Sequence, residues 1–175
     1  NLIKYDGIFF LRDTCKYIRI TGLHLQNTKG HGVFLNGNGI SNIRIDHCTI
    51  HNCQSSGVYG YNANQIEFDN NIVYDVNNGV SYGFTWSPQE AISFSNIQGF
   101  KIHNNILSKY GKEGIDAKSG SSNGEIYSNT IITSLASPAF QWKYNHIGIY
   151  IDGFTNKAHD IKVYNNTITG YGGPG

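Results

Sequence analysis

Apolar and polar positions alternate over short runs along this chain, and one such run keeps returning. It reads apolar, x, apolar, x, polar, Asn-like, x, apolar. It spans Ile18–Leu25, Ile43–Ile50, Ile66–Val73, Phe100–Leu107, Gly124–Ile131 and Ile161–Ile168. Alternation with a period of two marks a half-buried strand, because successive side chains point to opposite faces. The sixth residues of the runs are Leu23, Cys48, Asn71, Asn105, Asn129 and Asn166, separated by 25, 23, 34, 24 and 37 residues. Such periods belong to solenoids. The two long steps read as an ordinary repeat plus insertions at 77–89 and 134–146.

A second strand signal lies between the copies: Gly32-Val33-Phe34-Leu35, Gly57-Val58-Tyr59-Gly60, Ala91-Ile92-Ser93-Phe94, Gly114-Ile115-Asp116-Ala117 and Gly148-Ile149-Tyr150-Ile151. Two or three short strands per repeat, with Asn, Gly and Ser at the corners, predict an all-β parallel β-helix of about six coils. At ~4.8 Å per coil it is ~29 Å long. The repeat is too short for a propeller blade and lacks the Leu pattern of leucine-rich repeats. Stacked coils put like residues above like. Ile43, Ile66, Phe100 and Ile161 are expected to form an internal stack. Asn71, Asn105, Asn129 and Asn166 are expected to form a structural amide ladder that fades at Cys48 and Leu23. The whole chain, 1–175, reads as one domain, and as a piece of a longer protein. It begins at Asn1 without a leader, and neither end carries the polar cap a solenoid needs.

Composition narrows the function. Charged residues make up 14% of the chain and the net charge is +1, which gives no basic stripe for nucleic acid. No apolar run reaches the ~20 residues that span a membrane. Cys15, Cys48 and Cys53 form no metal-binding or redox spacing, and buried thiols are the expectation.

The candidate chemistry lies in Glu113-Gly114-Ile115-Asp116-Ala117-Lys118. Alternation sends Ile115 and Ala117 inward, and Asp116 and Lys118 outward. Stacking then exposes one outward column of Phe34, Tyr59, Ser93, Asp116 and Tyr150. A second, two residues on, holds Asn36, Tyr61, Ser95, Lys118 and Asp152. Both insertions carry aromatic residues and a Pro, and both lead into the same row of strands. Trp86 and Trp142, the two tryptophans, are there. Long loops on a rigid scaffold often carry function, so these are expected to wall a groove over Lys118. Tyr59, Tyr61, Trp86, Trp142, Tyr150 and Asp152 are the expected sugar contacts.

The repeat, from about Ile8 to Ile168, resembles the right-handed parallel β-helices of the pectate-lyase superfamily. That superfamily includes lyases, hydrolases, epimerases, tailspikes and non-catalytic surface proteins, so the resemblance speaks for fold before function. The hydrolase motifs are not matched: Gly30-His31-Gly32 agrees in letters only, and no Asp-Asp pair exists. The strand ending at Lys118 is similar to the one that carries the catalytic lysine in polysaccharide lyase family 9, with the pattern Asp-Gly-apolar-x-Ala-Lys. The resemblance implies a uronan lyase of the pectate or alginate type, with Lys118 as base in a β-elimination and Asp116 beside it. It implies calcium held by carboxylates, with Glu90, Glu113, Asp116 and Asp152 as candidate ligands. It also implies an acidic polysaccharide or other glycan as partner, and an extracellular, periplasmic or cell-surface location. Asp116 beside Lys118 raises the lysine pKa unless a metal takes up the carboxylate charge. A non-catalytic carbohydrate-binding or adhesive β-helix stays open, since it needs no base.

Overall fold

The computed structural model describes residues 7–77, 90–133, 147–153 and 156–170. Over the described residues the chain winds through six coils of three strands. The first coil holds β1 (Gly7–Arg12), β2 (Lys16–Thr21) and β3 (His24–Thr28). The second holds β4 (His31–Asn36), β5 (Ser41–Asp46) and β6 (Thr49–Cys53). The third holds β7 (Val58–Tyr61), β8 (Asn64–Asp69) and β9 (Ile72–Val76). The fourth holds β10 (Glu90–Ser95), β11 (Gln98–His103) and β12 (Ile106–Ser108). The fifth holds β13 (Glu113–Lys118), β14 (Ser122–Tyr127) and β15 (Thr130–Ile132). The sixth holds β16 (Ile147–Asp152), β17 (His159–Tyr164) and β18 (Thr167–Thr169).

Each strand pairs in parallel with its counterpart one coil away. The result is three six-stranded sheets: β1-β4-β7-β10-β13-β16, then β2-β5-β8-β11-β14-β17, then β3-β6-β9-β12-β15-β18. The expected parallel β-helix is therefore the observed fold, with three strands in every coil. Among the described residues no helix is long and apolar enough to cross a membrane.

The corners explain why Asn recurs. Gly22, His47, Asn70, Asn104, Ser128 and Asn165, each the residue just after a second-sheet strand, all have φ between 52° and 68°. This left-handed conformation is one that Asn and Gly adopt at little cost. The next residue carries the amide ladder. Asn71 donates from its backbone nitrogen (2.9 Å) and Nδ2 (3.1 Å) to Asn105 Oδ1, and Asn105 does the same toward Asn129. Asn129 repeats it toward Asn166. Each Nδ2 also donates to a carbonyl of the preceding coil, at Ile45, Phe68, Ile102 and Ile126. At Cys48 only the backbone nitrogen donates to Asn71 Oδ1, so the ladder ends where the sequence indicates.

Inside, Ile43, Ile66, Phe100, Gly124 and Ile161 fall in one register column. Gly124 is the unexpected member. A Cβ there would stand 2.1 Å from Phe100 Cζ, so the Phe100 ring fills the space that a fifth apolar side chain would take. Cys48 and Cys53 are buried, Cys15 is half-buried, and all three are free thiols.

Candidate functional site

The register places both outward columns as the alternation requires. Phe34, Tyr59, Ser93, Asp116 and Tyr150 are neighbours across β4, β7, β10, β13 and β16. Asn36, Tyr61, Ser95, Lys118 and Asp152 are neighbours two residues further on. Glu90 and Glu113 pair at the start of β10 and β13. Much of this face is closed to solvent. Ser93 is 0% exposed and Asp116 2%, and Glu90, Glu113 and Phe34 are also buried. Tyr61 and Tyr150 remain exposed, while Tyr59, Lys118 and Asp152 are half-buried. Trp86 and Trp142, with the insertions that hold them, lie outside the described residues. Asn77, at the foot of the first insertion, is described and buried. Its Nδ2 donates to the Glu90 carbonyl (3.1 Å) and its Oδ1 accepts from Gly111 (3.2 Å).

Toward the start of the chain the face is aromatic. Phe10 stacks on Phe34 with centroids 4.8 Å apart, Phe34 meets Tyr59 at 5.4 Å, and His31 stacks on Tyr59 at 5.1 Å. Toward the end it is charged. Lys118 Nζ lies 2.6 Å from Asp116 Oδ2 and also makes a short contact with Glu90 Oε1. Lys112 Nζ lies 2.9 Å from Glu113 Oε1. These three carboxylates and two ammonium groups carry one negative charge in excess when all are ionised.

That excess shows in the titration of the cluster. Burial pushes the Asp116 carboxyl up to about 7, helped by Glu90 and Glu113 and opposed by Lys118. Burial also raises Glu113, with Lys112 opposing. For Lys118, burial alone favours the neutral amine, but the charges of Glu90 and Asp116 outweigh it and raise the ammonium pKa. One proton on Asp116 brings the cluster to neutrality and leaves Glu90 to hold Lys118. Asp116 Oδ1 and Ser93 Oγ, side by side in register, are buried and have no hydrogen-bond partner among the described residues. Perturbed ionisable groups gathered on one face are a physical sign of a functional site.

The calcium expectation meets a different geometry. Glu90, Glu113, Asp116 and Asp152 do not converge as one ligand set. Among the described residues, Glu67, Asp69 and His103 form the one group of three acidic, His or Cys side chains whose ligand atoms lie within 4.8 Å of one another. Between Glu90 and Asp116 the chain supplies its own cation, Lys118, where a metal ion would have to sit. As they stand, these residues do not fit a calcium site.

The Glu67, Asp69 and His103 group is itself taken up by protein partners. Arg44 binds both Asp69 oxygens at 2.9 and 2.8 Å, and His103 Nε2 lies 3.1 Å from Glu67. It belongs to a ladder on the outside of the second sheet in which Arg19 holds Asp46 and Arg44 bridges Asp46 and Asp69. Asp46-His47 belongs to this structural ladder, with His47 Nδ1 3.8 Å from Asp46. A groove of about 450 Å³ beside it is lined by Arg44, Glu67, Lys101 and Glu125, with amides from Asn42, Gln65 and Asn123.

Sequence reading missed Lys112 and Asn77. Lys112 precedes its strand and so escapes any alternation rule. Asn77 shows itself only through partners on other coils.

A parallel solenoid of three sheets, with one charged and aromatic outer face, defines a β-helix protein. The family model described as a right-handed β-helix region matches residues 6–175, and the chain belongs to that family. No curated protein and no solved structure matches it.

Proposed function

We propose that this β-helix is a polysaccharide-active protein whose working face is the outer side of the first sheet, and that its ligand is an acidic glycan of the uronan type. The observation that carries this reading is Lys118, held between Glu90 and Asp116 and flanked in register by Ser95 and Asp152. Half-buried ammonium groups suit sugar carboxylates. The exposed rings of Tyr61 and Tyr150 suit pyranose faces. Such a protein works outside the cytoplasm: secreted, periplasmic or on the cell surface.

The finer reading is β-elimination. The C5–H and C4–O4 bonds break and a C4–C5 double bond forms; the C5 proton goes to the Lys118 amine or, where Lys118 stays charged, to a solvent water, and the departing O4 takes a proton from solvent. C5–H becomes acidic enough only when the neighbouring carboxylate is neutralised. Lys118 can serve in two ways. As a free amine it takes the C5 proton; as an ammonium it pairs with the carboxylate. Its two ion pairs favour the ammonium, so the geometry supports the neutralising role better than the role of base. A single electrostatic contact of this kind is worth ~10²–10³ in rate.

The test is absorbance near 235 nm on oligogalacturonate and oligomannuronate, with and without calcium. Wild-type protein is expected to release unsaturated products, and Lys118→Ala to lose about that factor. Lys118→Arg separates the two roles, because arginine keeps the charge and does not act as a base near neutral pH. It retains activity if Lys118 neutralises and loses it if Lys118 is the base. No product from any uronan, with or without calcium, overturns elimination.

A second reading is favoured by the same ion pairs. A carbohydrate-binding or adhesive β-helix uses a protonated Lys118 as it stands. Binding of uronan oligomers without unsaturated product supports it.

A further inference from the structure

We infer that Lys112, Glu113 and Tyr150 form a second subsite beside the Lys118 ion pairs, built to hold a carboxylated sugar ring. The inference rests on the proposed acidic glycan and extends it from Lys118 to Lys112, the other ammonium group of the cluster. Lys112 is not free to wander. Its Nζ lies 2.9 Å from Oε1 of Glu113, which is only 3% exposed. The Lys112 side chain keeps 35% of its own surface open. It is an ammonium group tethered from below and open from above. That lowers the entropy lost when a ligand anion is added, which is how preorganisation gains affinity.

The second element is the ring. Lys112 Nζ stands 5.9 Å from the centroid of Tyr150, which is 39% exposed and lies next to Asp116 in the outward column. An exposed aromatic ring with a fixed cation at its margin matches a uronate. The apolar face of the sugar packs on the ring, and the carboxylate reaches the ammonium. Glu113 ties this subsite to the floor of the other, because it pairs in register with Glu90, which holds Lys118. The backbones of the two tethered lysines stand at the two ends of β13, but their ammonium groups converge on Glu90 and Glu113, which are register partners, so neighbouring sugars of one oligomer can reach both.

The experiment compares oligogalacturonate and oligomannuronate with the same oligomers after carboxyl reduction, which removes the charge and keeps the ring. Affinity is read by calorimetry at low and moderate salt, on the whole chain. Lys112→Gln is expected to weaken the acidic oligomers about tenfold, in line with a charge-assisted hydrogen bond. It is expected to leave the reduced oligomers unchanged and to reduce the salt dependence. Lys112→Arg is expected to restore acidic binding. Tyr150→Ala is expected to weaken acidic and reduced oligomers alike. Because Lys112→Gln strips Glu113 of its counter-ion, the double variant Lys112→Gln/Glu113→Gln keeps the test valid if the single variant folds poorly, and the same charge-selective loss is expected.

Equal losses on both oligomer types, or none, with the lysine variants overturn the subsite. If Lys118→Ala still abolishes acidic binding in that case, the proposed function stands and only the subsite falls. If Tyr150→Ala leaves both oligomer types unaffected, the ring has no part in binding and the subsite also falls. If no oligomer binds wild-type protein, both fall together.

Discussion

Asn129 Oδ1 accepts two hydrogen bonds from Asn105, one from the backbone nitrogen at 3.1 Å and one from Nδ2 at 3.0 Å. A single buried oxygen therefore ties two coils together. Asn129 Nδ2 donates in turn to the Ile102 carbonyl at 2.9 Å. Asn129→Ala leaves a buried N–H and a buried C=O without partners. At roughly 1–3 kcal/mol for each unsatisfied group, the expected loss is about 3 kcal/mol, read from the urea midpoint. Asn166→Ala, at the half-buried end of the ladder where water can substitute, is expected to lose about 1 kcal/mol. Equal losses at the two positions contradict the ladder as a buried network.

Lys118→Ala is expected to destabilise the fold. The sequence alone suggests an outward lysine that stabilises little. In the folded chain its removal leaves Glu90 and Asp116 beside each other without a counter-charge. Breaking a buried pair costs several kcal/mol, and the partial exposure of Lys118 reduces that to about 2 kcal/mol. The loss is expected to be smaller at pH 5, where Asp116 takes a proton, than at pH 8. A pH-independent loss argues against the shared cluster.

Asp116 itself gives a signed pH dependence. Its folded pKa is raised by burial to about 7, above the ordinary aspartate value. The folded state therefore binds a proton that the unfolded state releases. The associated stability is fully present below the unfolded pKa, near 4, and is lost as the pH rises through about 7. Asp116→Asn removes this titration. Its urea midpoint is expected to gain on wild type between pH 5 and pH 8, and a constant difference across that range refutes the raised pKa.

The thiols offer a direct check on burial. Burial raises the Cys48 thiol and pushes Cys53 up to about 12, where nearby Asp75 adds to the effect. Both side chains are closed to solvent, and Cys15 is half-buried. A thiol reagent at pH 8 is expected to modify Cys15 in the native protein, and Cys48 and Cys53 only after denaturation.

Much of this architecture can be read from residue patterns because a solenoid repeats its constraints. The copies of Ile43-Arg44-Ile45 and its counterparts fix three things at once: the strand, its inward face and its place above the next copy. The outward columns, with Asp116 and Lys118 as neighbours of Tyr150 and Asp152, follow from alternation alone. What the pattern does not carry is who pairs with whom between columns. Lys118 reaches Glu90, 28 residues away, and ties it to Asp116. No spacing rule contains that contact, because it depends on rotamers meeting across strands. Gly124 is similar. Its inward position is legible, but the need for glycine comes from the Phe100 ring one coil away.

The left-handed corners have a consequence for how this chain tolerates changes of length. Each corner fixes the phase at which the following strand begins, and a strand shifted by one residue presents its inward side chains to the outside. Single-residue insertions within a coil therefore disturb every contact above and below it. A whole additional coil leaves all phases intact and lengthens every sheet by one strand. The natural unit of growth for this molecule is the complete turn. Variation within a turn belongs at the corners, where extra chain can leave the helix and return at the same phase.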